Sequence, residues 1–304
     1  MKKRLFVTGL SGFVGQHIQS RLIRPDSTWQ LLSAATSYDL TAPASLVDLW
    51  PQLPDAVIHL AGQTFVPEAF RDPARTLEIN LLGTLNLLQA LKARGFQGTF
   101  LYVSSGDVYG QVAESALPIT EQQAPCPRNP YAVSKLSAEF LSLQWGLSEG
   151  WPVLVARPFN HIGSGQKDNF VIASAARQIN RIKQGLQAPQ LEVGDIDVTR
   201  DFLDVGDVIS AYFALLEKGT PGQVYNICSG REQSIRSLIE QMGDLAEVDL
   251  QLVQDPARMR RADQRRVCGS HAKLAQTTGW TPAITTQQSL RTILSDWEQR
   301  VRQE

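Results

Sequence analysis

Short apolar runs alternate with stretches of helical spacing through the first 160 residues. Leu5-Phe6-Val7, Trp29-Gln30-Leu31-Leu32, Asp55-Ala56-Val57-Ile58-His59, Thr99-Phe100-Leu101-Tyr102-Val103 and Pro152-Val153-Leu154-Val155-Ala156 read as strands. Each is close to continuously apolar, as expected of strands buried on both faces. Between them, Ile18, Leu22 and Ile23 keep helical spacing, and over 75–94 leucines and Ile79 surround most of a predicted helix. A helix through Tyr131 carries Val133, Leu136, Phe140, Leu141, Leu143 and Trp145, again beyond a single stripe. Helices of this kind need cover on more than one side. The alternation predicts an α/β fold, a Rossmann-like, doubly wound parallel sheet with right-handed crossovers.

Beyond residue 160 the pattern loosens. A helix is expected over 170–185, a strand at Leu191-Glu192-Val193-Gly194, a polar, partly extended segment at Arg200-Asp201-Phe202-Leu203-Asp204 and a helix over 208–216. Val224-Tyr225-Asn226-Ile227-Cys228 reads as a strand returning to the sheet, and Leu290, Ile293, Leu294 and Trp297 mark an amphipathic terminal helix. The expected organisation is a dinucleotide-binding domain of residues 1–160 with about 204–230, and a smaller C-terminal substrate domain of 161–203 and 231–304.

The chemistry sits at strand ends. The first strand runs into Thr8-Gly9-Leu10-Ser11-Gly12-Phe13-Val14-Gly15 and then a helix. Gly9, Gly12 and Gly15 let the backbone turn tightly and approach a pyrophosphate, whose charge suits the helix N-terminus, although the spacing differs from the commonest fingerprint. The second strand ends in Ser33-Ala34-Ala35-Thr36. With neither a carboxylate to reject a 2′-phosphate nor an arginine to demand one, NADH and NADPH both fit. Asp39 and Leu40 flank the adenine, or Asp39 is a turn residue. Leu60-Ala61-Gly62 offers the small side chains that a close cofactor needs. His59 lies inside an apolar run with no second ligand at suitable spacing, so it reads as a core histidine.

Asn129-Pro130-Tyr131-Ala132-Val133-Ser134-Lys135 places Tyr131 and Lys135 four apart, on one helical face. A neighbouring ammonium is expected to lower the tyrosine from its usual value near pH ~10 and make it a usable acid–base group. The fourth strand delivers Ser104 and Ser105 to its carboxyl end, where open α/β sheets bind ligands.

Composition narrows the partners. The 304 residues are 43% hydrophobic and 19% charged, with net charge -1, which points to small ligands rather than nucleic acid. Cys126, Cys228 and Cys268 are too few and too scattered for a zinc ribbon or a disulfide framework. No apolar stretch reaches the length of a membrane span, and the run after Met1-Lys2-Lys3-Arg4 breaks at Gly9, too soon for a signal peptide. The expected location is cytoplasmic. Arg258, Arg260, Arg261, Arg265 and Arg266 form a basic cluster, either a solvated face or a site for an acidic ligand.

Together these elements resemble, nearly end to end, the extended short-chain dehydrogenase/reductases that act on nucleotide sugars. The resemblance implies Ser105, Tyr131 and Lys135 for chemistry, Ser105 being preferred because it stands five residues before Gly110 of Val108-Tyr109-Gly110. It implies Gly9, Gly12, Phe13, Val14, Gly15, Asp39, Leu40, Leu60, Ala61, Gly62, Tyr131, Lys135 and Pro158 around NADPH or NADH. It implies Ser105, Gly106, Asp107, Tyr131, Asn160, Arg200 and Arg260 around a GDP-sugar, with no metal. The implied reaction is reduction of the 4-keto group of GDP-4-keto-6-deoxy-D-mannose to GDP-D-rhamnose, with Tyr131 as proton donor. The alternatives are a nucleotide-sugar 4-epimerase or 4,6-dehydratase, or a non-catalytic dinucleotide-binding sensor. The family's 4,6-dehydratases carry an acid–Glu or Ser–Glu pair where this chain has Gly106 and Asp107. Gly194-Asp195-Ile196-Asp197 ahead of Arg200 resembles the corresponding stretch of GDP-mannose dehydratases and favours GDP. The two helices apolar around most of their circumference predict a homodimer or higher homo-oligomer that covers them.

Overall fold

The structure is a computed structural model that describes residues 2–25, 27–255 and 264–304. Its strands are β1 (Lys3–Thr8), β2 (Trp29–Leu31), β3 (Ala56–His59), β4 (Thr99–Val103), β5 (Val153–Pro158), β6 (Asn160–Ile162), β7 (Gln190–Val193), β8 (Thr199–Asp204), β9 (Val224–Ile227), β10 (Glu232–Ser234) and β11 (Gln251–Gln254). Six of them form the central sheet in the order β2-β1-β3-β4-β5-β9, all parallel, so the doubly wound α/β fold is observed and β9 does return to the sheet.

The period of two along each strand sorts side chains to opposite faces. Leu5, Val7, Ala56, Ile58, Leu101, Val103, Leu154 and Ala156 join Ile18 and Leu22 of helix Phe13–Leu22 and the inner face of helix Val205–Lys218 in one core. Phe6, Val57, Phe100, Tyr102, Val153 and Val155 face the opposite way, onto Leu87, Leu88 and Leu91 of helix Gly83–Ala93 and Ala138 of helix Pro130–Glu149. A separate core gathers Ile172, Ala176 and Ile179 of helix Val171–Lys183, Leu238 and Met242 of helix Ile235–Ala246, and Leu290, Ile293 and Trp297 of helix Thr286–Val301. Leu274 and Trp280, late in the chain, pack with the central sheet.

Two expectations change. The continuous helix over 75–94 is three pieces: Pro73–Leu77, a π-helical turn Glu78–Leu82, and Gly83–Ala93. The wider turn carries Asn80, a buried polar residue inside an apolar run, and π turns of this kind are common at functional sites. In the basic cluster, Arg258, Arg260 and Arg261 lie outside the described residues. Arg266 pairs with Glu232 and Glu114, and Arg265 stands 3.9 Å from Asp195.

Arg200 and Asp201 lie in β8, which pairs with β6 and β10. Asp201 is fully buried, and its carboxylate accepts from Ser229 N at 2.7 Å, Ser229 Oγ at 2.6 Å, Gly230 N at 3.0 Å and Gly269 N at 3.1 Å. It thereby ties β8 to the segment after β9 and to residue 269. Replacing it with alanine strands several buried donors at once, so Asp201→Ala is expected to cost at least about 3 kcal/mol in urea unfolding. A loss below about 1 kcal/mol would contradict this role.

Candidate active site

The glycine turn after β1 is built for close approach. Gly9 has φ of 78°, in the left-handed region that favours glycine, and a Cβ there would meet Ala61 N at 2.9 Å. A Cβ on Gly15 would lie 2.3 Å from the Gly9 carbonyl oxygen and 2.6 Å from Leu10 Cα. The turn therefore packs against Leu60 and Ala61 with no room for side chains and leads into helix Phe13–Leu22, which lacks a side-chain cap at Gly12. Its first-turn N–H groups have no acceptor within the helix, which is the donor set a pyrophosphate needs. A reduced dinucleotide fits this cradle. Phe13 stacks on His161, with ring centroids 6.0 Å apart and planes at 3°. Asp39 serves the turn, accepting from Thr41 N at 2.8 Å and Thr41 Oγ1 at 2.9 Å, bonds that hold its carboxyl below the usual value. Leu40 is buried beside Gly83.

A buried polar chain joins this cradle to the tyrosine helix Pro130–Glu149. Thr8 Oγ1 accepts from Ala61 N at 3.1 Å and meets His59 Nδ1 at 2.7 Å; His59 Nε2 meets Thr84 Oγ1 at 2.9 Å; Thr84 donates to the Asn80 carbonyl at 2.6 Å. One assignment of hydrogens satisfies every link: Thr8 donates to Nδ1, and the Nε2–H of a neutral imidazole donates to Thr84. The Asn80 side chain accepts from Gln63 N at 2.7 Å and donates to Gln63 O at 3.0 Å and Ser134 Oγ at 2.8 Å, and Ser134 donates to Tyr131 O at 2.7 Å. His59 is thus a partnered core histidine, as its apolar run implied. Thr8, Asn80, Thr84 and Ser134 had escaped the sequence reading. The available signal was a polar pair, Asn80 and Thr84, four apart in an apolar helix.

The helix itself is fixed in register. Asn129 caps it, accepting from Ala132 N at 2.7 Å, and Tyr102 of β4 donates to the Lys135 carbonyl at 3.3 Å. Tyr131 and Lys135 are both buried, and the tyrosine shares a side-chain hydrogen bond with Ser105 at the end of β4. Ser105 also accepts from Asp107 N at 3.1 Å, capping a one-turn 3₁₀ helix, Gly106–Tyr109. Ser104 is buried beside it.

The electrostatics correct one expectation. Burial raises the Tyr131 pKa well above the ordinary tyrosine value, the Asp107 carboxylate raises it further, and only the Ser105 bond opposes them. Lys135 is not among the groups that move it. The ammonium lies 4.7 Å from the centroid of the Tyr102 ring, and burial pulls its pKa down to about 7 against the opposing charge of Glu139.

The remaining residues frame the space beyond Ser105 and Tyr131. A Cβ on Gly106 would meet the Phe159 ring at 3.1 Å, so the serine turn packs on the end of β5 that holds buried Pro158. Asn160 of β6 pairs in register with Phe202 of β8, two residues from Arg200 on the same strand face. The Arg200 guanidinium donates to the carbonyls of Thr199 at 2.8 Å and Gln264 at 2.9 Å. Arg260 lies outside the described residues. Among the described residues, no cluster of His, Cys, Asp and Glu has the makings of a metal site.

Comparison with known proteins agrees on one lineage. The profile of the family described as GDP-mannose 4,6 dehydratase matches residues 33–293. The chain is 74% identical, over the whole of both sequences, to GDP-6-deoxy-D-mannose reductase of Pseudomonas aeruginosa. It is 28% identical, over 96% of each chain, to GDP-6-deoxy-D-talose 4-dehydrogenase of Aggregatibacter actinomycetemcomitans. The solved structure of RMD from Pseudomonas aeruginosa complexed with NADPH superposes with a TM-score of 0.96 at 72% identity, covering 98% of this chain and all of that one.

The buried imidazole gives a pH test. Burial, with Lys135 adding to it, lowers the His59 pKa to about 3 from the ordinary 6.5. The unfolded chain therefore binds the extra proton between these values, and stability falls as pH drops from about 6.5 toward 3. Between pH 7 and pH 5, His59 is expected to account for a loss of about 2 kcal/mol, which His59→Gln should remove when the two proteins are unfolded in urea at each pH. Equal losses in both would contradict the buried neutral imidazole.

Proposed function

The chain belongs to the GDP-mannose 4,6 dehydratase family, and on that premise we propose that it is a reductase, converting GDP-4-keto-6-deoxy-D-mannose to GDP-D-rhamnose with NADPH or NADH. The observation that carries this reading is the 74% sequence identity, along its whole length, to the GDP-6-deoxy-D-mannose reductase of Pseudomonas aeruginosa. The family's name does not fix the reaction. A dehydratase of the kind described above carries a side chain at the place of Gly106, where a Cβ would meet the Phe159 ring at 3.1 Å and the ring would have to give by a few tenths of an ångström to admit it.

The bound cofactor supplies the hydride. Ser105 donates to the substrate carbonyl and holds the oxygen on which charge develops, and Tyr131 gives that oxygen its proton. A donor must begin protonated, and burial and Asp107 keep Tyr131 so. An alkoxide is far more basic than a phenolate, so transfer is still favourable at the moment of reduction. Lys135 lies one helical turn away, placed to bond the cofactor's ribose. Arg200 and Arg260 are assigned to the diphosphate and Asn160 to the sugar, remote contacts whose binding energy orients the reacting carbon. Residues 1–160 and 204–230 hold the cofactor, with 272–280 joining them through Leu274 and Trp280, and the rest of 161–304 holds the nucleotide sugar.

The assembly proposed is a homodimer. Val133, Phe140 and Leu147 are exposed at intervals of seven along helix Pro130–Glu149, a single stripe two turns apart, and Phe70 and Leu82 are exposed on neighbouring elements. The C-terminal helix packs against Val171–Lys183 and Ile235–Ala246 and leaves this stripe uncovered. A second copy of the same face would cover it.

Three outcomes are expected. Incubated with the 4-keto sugar and NADPH, the protein should consume cofactor stoichiometrically, and Tyr131→Phe should lower turnover at least about a hundredfold while NADPH still binds; near-normal turnover would sink the assignment. Catalytic efficiencies with NADPH and NADH should lie within about a thousandfold, because the strand end Ser33–Thr36 is neutral, and a larger ratio would expose a missed contact. Sedimentation should give at least a dimer that Phe140→Glu dissociates, and a 33.6 kDa monomer at micromolar concentration would contradict it.

A further inference from the structure

One turn beyond Lys135 on the tyrosine helix stands Glu139, with no exposed surface. Its carboxylate is held bidentately by Arg157 of β5, with Nε–Oε2 at 3.1 Å and Nη2–Oε1 at 2.5 Å, and the arginine is itself buried. The guanidinium lies 4.8 Å from the centroid of the Tyr109 ring, and the Tyr109 hydroxyl donates to Asn226 Oδ1 of β9 at 2.6 Å. The Asn226 backbone N–H in turn donates to Glu121 Oε1 at 2.7 Å. The chain of contacts joins the tyrosine helix, β5, β9 and the turn that carries Ser105.

A buried ion pair of this kind is weak as a source of stability, since desolvation consumes much of the attraction. What it does supply is a fixed charge. Arginine's fork leaves the carboxylate no rotamer freedom, so Glu139 presents its negative charge one helical turn from the Lys135 ammonium in a single geometry. The other groups around that ammonium are the Tyr102 ring of β4, His59 of β3, which burial and then the ammonium keep neutral, and Tyr131 one turn back; Asp107 acts on Tyr131 from the turn after β4. Glu139 is the acidic group that opposes the effect of burial on Lys135.

We propose that Glu139, clamped by Arg157, is the positioning residue for Lys135: its fixed carboxylate, one helical turn away, holds the buried lysine as an ammonium over more of the pH range than burial alone would allow. This rests on the role given to Lys135 above, but the charge state can be read without turnover.

The experiment is an NMR titration of protein labelled with ¹³C at lysine Cε, with no cofactor added and the Lys135 signal assigned by its loss in Lys135→Met. In the wild-type chain Lys135 should titrate well below an ordinary lysine. Glu139→Gln should lower its midpoint by about one unit or more, because burial then acts unopposed. Arg157→Met, which removes the competing cation, should leave the midpoint unchanged or raise it. If either single variant fails to fold, Glu139→Gln/Arg157→Met removes both members of the ion pair together, and it should show the same downward shift as Glu139→Gln. An unmoved midpoint in the Glu139→Gln variants, or equal shifts in Glu139→Gln and Arg157→Met, would overturn the proposal. NADPH titrations followed by fluorescence provide the second readout: affinity in Glu139→Gln should begin to fall at lower pH than in wild type. A wild-type protein that binds no NADPH at any pH would instead refute the reductase reading and leave the NMR result standing by itself.

Discussion

The side chain of Asn80 is the contact on which the site depends. It reaches two backbone atoms of Gln63, just after the cofactor cradle, and the hydroxyl of Ser134, which is itself bonded to Tyr131. A directional polar bridge of this kind sets the register between the end of β3 and the tyrosine helix, which apolar packing by itself does not. Buried amides are costly unless every group is matched, and here the oxygen accepts from Gln63 N while the NH₂ donates to Gln63 O and Ser134 Oγ, in two different elements. Satisfying Asn80 therefore fixes where Tyr131 stands relative to the glycine turn. Asn80 is the buried residue of the π-helical turn Glu78–Leu82.

On that frame, burial does much of the electrostatic work. It pushes the Tyr131 phenol up and the Lys135 ammonium down, so both move toward their uncharged forms. Asp107 strengthens the first effect and Glu139 opposes the second. The site thus carries a tyrosine that keeps its proton until a stronger base develops next to it. Such a donor suits reduction of a ketone, where the base is the nascent alkoxide, and the Phe159 ring crowds the place at Gly106 where a dehydratase would set a side chain.

The sheet was legible because strands buried on both faces are nearly continuous in apolar residues, and Thr99–Val103 emerges with the same ends as its apolar run. The glycine turn and the Tyr131–Lys135 spacing were legible for the same reason: each is a local pattern with a local cause. The helix over 75–94 was not, because a π turn leaves no mark on apolar periodicity. Nor was the sense of the tyrosine's shift. Four-residue spacing brings Lys135 onto the helical face of Tyr131, but burial and Asp107, contributed by a turn far away in sequence, outweigh what adjacency suggests. The Glu139–Arg157 pair is similar, since its partners lie on a helix and a strand whose crossing only the fold reveals.

The central claim is that this chain spends its cofactor, passing a hydride to the sugar carbonyl while Tyr131 supplies the proton. Deuterium at the transferable position of NADPH tests it directly. The account predicts one deuterium at C4 of the product sugar for each NADPH consumed. A product without deuterium, or turnover with no net loss of reduced cofactor, would contradict it.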